Sequence, residues 1–342
     1  MTKPPLAGAA AALLVLASCD PAPERVPFLE APAADHHLHV WSDDAVSALL
    51  EIQEVVGQTL VAEGDGAITG DEAVAALDSA GVAMGAVLSV GYFFGFPGVD
   101  FPEQEARVRA ENDWVSEQVA AHPDRLVGFC GMNPLAPYAL DEVERCAGLP
   151  GMVGIKLHLA NSDVDLRNRA HLDRLGALFQ RAEEVELALV VHMRTRRPDY
   201  GGEDVVGFAD AVLSRAPTVP VQIAHLAGWG GFDEPTASAV QAFNVLLREP
   251  ETDPAGRLLF DMAAAPVPLE RAGNDPDLVE QVETMNAQVA EAIRILGVER
   301  VLFGSDRPAR SVSEAAVNLG EELGLAPDEI QVIFSNRGPY LP

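Results

Sequence analysis

Met152–His158 (MVGIKLH), Leu172–Glu184 (LDRLGALFQRAEE) and Leu187–Met193 (LALVVHM) read in succession as strand, helix and strand. The outer runs are short, apolar almost throughout and rich in β-branched residues, as strands are when helices cover both faces of a parallel sheet. The middle run carries its apolar residues at helical spacing. The same alternation extends in both directions. Candidate strands end near His39, Gly91, Asn133, His158, His192, His225, Met262 and Asp306, 25 to 52 residues apart. Helical patterns lie between them at Glu103–Ala121, Leu172–Glu184, Ala237–Arg248, Leu278–Leu296 and Ser313–Leu323, and Ala45–Val61 reads as an extra helix inserted after the first strand. Eight such units in about 300 residues point to an α/β fold, a (β/α)₈ TIM barrel. The alternative is an open doubly wound sheet, but no GxGxxG or GxxxxGK[ST] marks a nucleotide crevice.

Composition narrows the function. The 342 residues hold 52 acidic against 23 basic side chains, a formal charge of −29. That argues against nucleic acid as a partner and against adhesion to anionic lipid, both of which need a basic footprint. At 48% hydrophobic residues the chain is not disordered. Only two lysines occur, Lys3 and Lys156.

Residues 1–18 read as a signal peptide, with one early positive charge and an apolar stretch too short to span a membrane. The ending Leu16-Ala17-Ser18-Cys19 resembles the lipobox of bacterial lipoproteins, which implies cleavage before Cys19, acylation of its sulfur and anchoring without spanning. Asp20 resembles the signal that retains such proteins on the outer face of the inner membrane. Residues 19–34 then form the lipidated cysteine and a proline-rich tether, and 35–342 the barrel. After such processing Lys156 is the one lysine left.

Asp35-His36-His37-Leu38-His39 carries the strongest chemical signal. Strand side chains alternate, so Asp35, His37 and His39 share one face, and two imidazoles at i and i+2 can grip one cation. Further on, single polar residues end apolar strands: Lys156 and His158, His192, His225 and Asp306. Six of the eight histidines thus fall near strand ends, which in a barrel open on one mouth. A lone histidine in an apolar strand is more often packing; six at one end are not explained that way. A nitrogen and oxygen donor set suits Zn²⁺, with Mn²⁺ or Fe²⁺ as alternatives.

His37-x-His39, His192, His225 and Gly304-Ser305-Asp306 resemble the amidohydrolase superfamily, and GIKLH, IAHLAG and LFGSDRP look most like its amidohydrolase-2 branch, which includes aminocarboxymuconate-semialdehyde decarboxylase. The resemblance covers residues 35–342. It implies that His37, His39, His192 and Asp306 hold a metal, and that His225 faces the substrate or binds a second ion. One ion is favoured and two are allowed: in two-metal relatives a carbamylated lysine at the end of strand four bridges the ions, where Lys156 stands here. Lys156 could instead pair with a substrate carboxylate or with acidic neighbours.

The mechanism implied is hydrolysis of a lactone, amide or ester by a metal-activated water. Asp306 would be general base and then acid, His225 would polarise the scissile carbonyl, and Asp35 would orient a ligand. Substrate contacts are expected from Lys156, His158, Arg194, Trp229 and Phe94. Arg194, Arg196 and Arg197 crowd beside His192 and could fork onto a carboxylate, or pair with Asp199, Glu203 and Asp204. The aromatic run Gly91–Pro97 could be a lid, or packed core. Cys130 and Cys146 read as two buried thiols rather than a disulfide. The alternatives in function are a non-oxidative, metal-dependent decarboxylase of an unsaturated or aromatic acid, and a binding lipoprotein without catalysis. Partners expected are a small-molecule substrate, with a homodimer allowed.

Overall fold

The computed structural model describes residues 30–57, 65–249, 253 and 256–342. The expected signal peptide, Cys19 and most of the expected tether lie outside the described residues.

Eight strands run in chain order: β1 Ala34–Leu38, β2 Met84–Leu88, β3 Leu126–Gly131, β4 Met152–His158, β5 Ala188–His192, β6 Val221–Ile223, β7 Leu258–Asp261 and β8 Val301–Leu302. All pair in parallel with their sequence neighbours. The ring closes where His36 N donates to Phe303 O (2.9 Å), Asp306 N to His37 O (2.8 Å) and His39 N to Arg307 O (2.8 Å). This is the (β/α)₈ barrel, not the open sheet. Among the described residues ten α-helices accompany the strands: α1 Asp43–Val56, α2 Gly70–Ser79, α3 Gln104–Ala120, α4 Ala139–Ala147, α5 Arg169–Glu184, α6 Gly202–Ala211, α7 Glu234–Leu247, α8 Pro276–Leu296, α9 Val312–Glu321 and α10 Pro327–Ser335. The expected insertion after β1 is α1, its start set by Ser42, whose side chain caps Ala45 N. Among the described residues no helix is long and apolar enough to cross a membrane.

The alternation of β4 shows how the interior is filled. Gly154, Lys156 and His158 share the inward face. At Gly154 the Phe129 ring takes the place of a side chain, since an added Cβ would lie 2.3 Å from it. Ala86, Leu88, Phe129, Ala188 and Val190 form the apolar floor, covered by Tyr340 and Leu341 from the C-terminus. Above that floor the inward positions turn polar.

Three sequence expectations change. Strands β6 and β8, read as running to Leu226 and Ser305, stop at Ile223 and Leu302. Beyond them His225, Leu226, Ala227 and Asp306 take left-handed backbone angles (φ 54°, 50°, 67° and 63°), which no strand accommodates. Cys130 and Cys146 are not free thiols but a disulfide. Cys130 lies on β3 and Cys146 on the buried face of α4, which brings their Cα atoms to 6.4 Å, within bridging range. The ring so closed spans a separation of 16 residues. Cys130→Ala with Cys146→Ala is expected to lower the unfolding free energy by about 3 kcal/mol, read from urea denaturation. An unchanged midpoint would show that the crosslink contributes nothing.

Candidate metal centre

The mouth of the barrel holds a cavity of about 880 Å³. Five of the six strand-end histidines line it: His37, His39, His158, His192 and His225, together with Lys156 and Asp306. His36 does not. Its Nδ1 donates to Phe303 O (3.0 Å) and its Nε2 accepts from Gly338 N (3.0 Å), so it staples the C-terminal segment to β1. Burial pushes its imidazole down to about 4.

The hydrogen-bond partners decide the tautomers. A carbonyl or carboxylate oxygen only accepts, so a ring nitrogen facing one carries the hydrogen. His37 Nδ1 donates to Asp261 Oδ2 (2.9 Å), His39 Nδ1 to Leu88 O (2.7 Å) and His225 Nδ1 to Ala263 O (2.6 Å). Each neutral ring therefore presents an Nε2 lone pair to the cavity. Asp306 Oδ1 sits 3.4 Å from Nε2 of both His37 and His39. Three acceptors facing one another at this distance repel unless something positive stands between them. Protons on His37 are disfavoured, because burial first and then the nearby Lys156 push its imidazole down to about 3. Lys156 Nζ, buried at the end of β4, donates to His37 Nε2 at 3.4 Å. His192 Nε2 is buried and has no hydrogen-bond partner among the described residues. His37, His39 and Asp306 lie close enough to hold one metal ion, and the donor set fits a divalent cation.

His37, His225 and Asp261 are equally close together, but Asp261 is already saturated. Its Oδ1 accepts from His225 N (3.0 Å) and Ala263 N (3.1 Å), and its Oδ2 from His37 Nδ1 and Gln222 Nε2 (2.6 Å). Burial alone would raise its pKa, yet His37 and these donors hold the carboxyl well below the ordinary carboxylate range. Asp261 thus has the orienting role that the sequence reading gave to Asp35. The Asp35 carboxylate instead accepts from His37 N and Ser305 N, tying β1 to the chain after β8, and burial pushes it up to about 7. Asp261 was missed because a single acidic residue ending LLFD has no spacing that marks it.

Two expected substrate contacts point away from the cavity. Arg194 is clamped by both carboxylate oxygens of Asp233 (3.1 Å each) and lies over the Tyr200 ring. Arg196 lines the cavity instead, stacked on Phe96 at 4.9 Å, with Nε donating to Ala160 O. Arg197 pairs with Asp165 and Asp199. Phe94 is buried under Arg107 and against Phe101, while Tyr92, Phe93 and Phe96 face the cavity. The 3₁₀ turn at Gly91–Gly95 turns Phe94 away from Tyr92 and Phe93, and Phe96 follows it in extended backbone. Trp229 lines the cavity as expected, 5.0 Å from the His192 ring, and His158 stacks on His192 at 3.8 Å. Leu49, Ile52 and Val56 of α1 complete an apolar wall.

Comparison with known proteins agrees with this architecture. A family model described as amidohydrolase matches residues 34–331. Among solved structures, the chain resembles a 5-carboxyvanillate decarboxylase from Novosphingobium aromaticivorans complexed with manganese and a nitrobenzoic acid (TM-score 0.53, 14% identity, 91% of this chain and 95% of that one). It also resembles a protein described as a probable 2-pyrone-4,6-dicarboxylic acid hydrolase from Acinetobacter baumannii with citric acid bound (0.55, 16%, 88% and 96%). A third is an amidohydrolase from Burkholderia multivorans with bound zinc (0.56, 14%, 89% and 96%). A search of curated proteins finds no match.

Two outcomes follow from the geometry. Asp261→Asn places an amide NH₂ where an acceptor must stand, forcing His37 to the other tautomer and blocking its Nε2. Metal affinity is expected to fall about 10- to 100-fold, measured by competition with a chelator; an unchanged affinity would contradict the orienting role. Burial also pushes Lys156 down to about 8 from the usual 10.5, outweighing Asp261 and Asp306. The folded state therefore binds fewer protons than the unfolded one between those values, and its penalty is present in full below pH 8 and fades as pH rises toward 10.5. In metal-free protein Lys156→Met should gain on the order of 1–3 kcal/mol at pH 7 and little above pH 10. A gap in denaturation midpoint that does not change with pH would refute the buried charge.

Proposed function

The chain belongs to the amidohydrolase-2 family, and from that premise we propose that it is a metal-dependent hydrolase of a small lactone, amide or ester bearing a carboxylate. The observation that carries the reading is the convergence of imidazole lone pairs and a carboxylate on one point, beside an arginine with no ion pair among the described residues.

His37, His39 and Asp306 would hold the ion, with His192 beside them. An ion there would supply Lewis acidity, polarising a carbonyl and bringing the pKa of water toward about 7. His39, His225 and His37 outweigh the effect of burial and hold Asp306 below the ordinary carboxylate range, so it begins as an anion able to take a proton from the attacking water. His225 offers a lone pair rather than a hydrogen, because its Nδ1–H is committed to Ala263 O. Its neutral form would therefore accept a proton or a cation, and polarising a carbonyl by donation would need the imidazolium. Saturation of Asp261 removes it from the ligands, and one ion is the reading we take, with Lys156 as an amine donating to His37 Nε2. Arg196 would fork onto the substrate carboxylate, and Tyr92, Phe93, Phe96 and Trp229 would flank an apolar or aromatic body.

Decarboxylation of an aromatic or unsaturated acid is the second reading. The same aromatic wall and Arg196 favour it, and the structural neighbours include both a decarboxylase and a hydrolase. The reactions balance differently: hydrolysis consumes water and releases an acid, whereas decarboxylation releases CO₂ and returns a proton to carbon. Metal-loaded protein is expected to acidify a pH-stat with at least one lactone or ester of a panel, or to release free amine from at least one of its amides, and to lose at least 100-fold in rate in Asp306→Asn. Release of CO₂ from aromatic acids without turnover of that panel would replace the hydrolase with the lyase.

A further inference from the structure

A second cavity, of about 410 Å³, shares Trp229 and Ala309 with the metal cavity as a common wall. Two arginines line it: Arg271, from the turn Leu269–Ala272 after β7, and Arg310, just ahead of α9. Arg310 is 8% exposed. Its Nη2 donates to Ala264 O at 3.1 Å, and among the described residues neither arginine forms an ion pair. The acids around them are already engaged. Glu314 accepts from Ser311 N and Oγ, and Glu322 from Leu269 N and Asn318 Nδ2. Asp233, the carboxylate that lines the cavity, is held by both terminal nitrogens of Arg194 and by Thr236 N. Burial, then the like charge of Arg271, hold Arg310 below its ordinary pKa. Asp306, Glu314 and Glu322 attract Arg310 only from beyond ion-pair distance and do not offset its burial; a buried cation without a paired carboxylate is costly, and a forked pair of guanidinium groups is the donor set that matches a carboxylate or phosphate. Arg310 and Arg271 therefore face one space, short of an anion, across a tryptophan from the metal centre.

We propose that this second cavity is an anion subsite that receives a carboxylate or phosphate group of the substrate, remote from the reacting bond. The assignment as a substrate subsite rests on the metal cavity being the active site; the binding of an anion does not. Trp229, half-exposed between the two cavities, is the wall the substrate would pass. The substrate class is then a small molecule with an anionic group at the end away from the metal.

Isothermal titration calorimetry of the full chain with inorganic phosphate, and separately with succinate, tests this. Saturable binding of at least one probe is expected, with Kd raised at least tenfold in Arg271→Gln and in Arg310→Gln. Arg271 is exposed, so its variant keeps the test valid if the Arg310 variant fails to fold. His37→Ala, which removes a metal-site ligand, should bind the probe unchanged; this separates the subsite from the catalytic reading. Preference for phosphate indicates a phosphorylated ligand, and preference for succinate a carboxylate. No saturable binding of either probe, an unchanged Kd in Arg271→Gln, or loss of binding in His37→Ala would each overturn the proposal.

Discussion

The carboxylate of Asp261 is the point on which the site depends. Its four hydrogen bonds fix three things together: the tautomer of His37, the backbone of His225 and the position of Gln222. Gln222 in turn accepts from the Tyr340 hydroxyl, so the floor of the barrel and the metal ligands share one polar chain. Such a network is stable only when every member is satisfied, because each group is buried. It is satisfied here, and what it leaves over is a set of Nε2 lone pairs aimed into the cavity, that of His37 accepting from Lys156. The backbone tells the same story. His225 and Asp306 sit in left-handed geometry that costs about 1–3 kcal/mol each and persists only where surroundings dictate it. The Asp261 carboxylate, accepting from His225 N, holds the first, and the bonds that join β8 to β1 hold the second.

This division between a satisfied second layer and unsatisfied first-layer atoms separates a metal centre from a cluster of packed histidines. His36 is the internal control. It belongs to the same five-residue motif, but both of its nitrogens are used and it reaches only the C-terminal segment. His37 and His39 each commit Nδ1 to a fixed acceptor and turn Nε2 into the cavity, where that of His37 accepts from the Lys156 amine. The arginines sort by the same test: Arg194 and Arg197 have carboxylate partners, whereas Arg196, Arg271 and Arg310 line cavities without one.

Much of this was legible in the sequence. The eight units follow from alternating apolar runs; three cavity histidines follow from polar residues at their ends, and two from the His37-x-His39 alternation. What failed to show has definite physical causes. Asp261 carries no spacing signal, and its importance comes only from three neighbours distant in the chain. The choice of Arg196 over Arg194, and of Phe93 and Phe96 over Phe94, depends on how a loop and a 3₁₀ turn rotate side chains, for which strand and helix periods give no guide. The Cys130–Cys146 bridge depends on how α4 returns against β3. The arginine pair across Trp229 joins the loop after β7 to the chain after β8, and neither Arg271 nor Arg310 belongs to a motif.

The most direct measurement is anomalous scattering from a crystal of metal-loaded protein, collected at the absorption edge of the bound metal. The account predicts one peak per chain, within coordination distance of Nε2 of His37 and His39 and the carboxylate of Asp306, with Asp261 hydrogen-bonded behind it and Lys156 an unmodified amine. Two peaks bridged by a carbamylated Lys156, or a peak away from these three side chains, would contradict it.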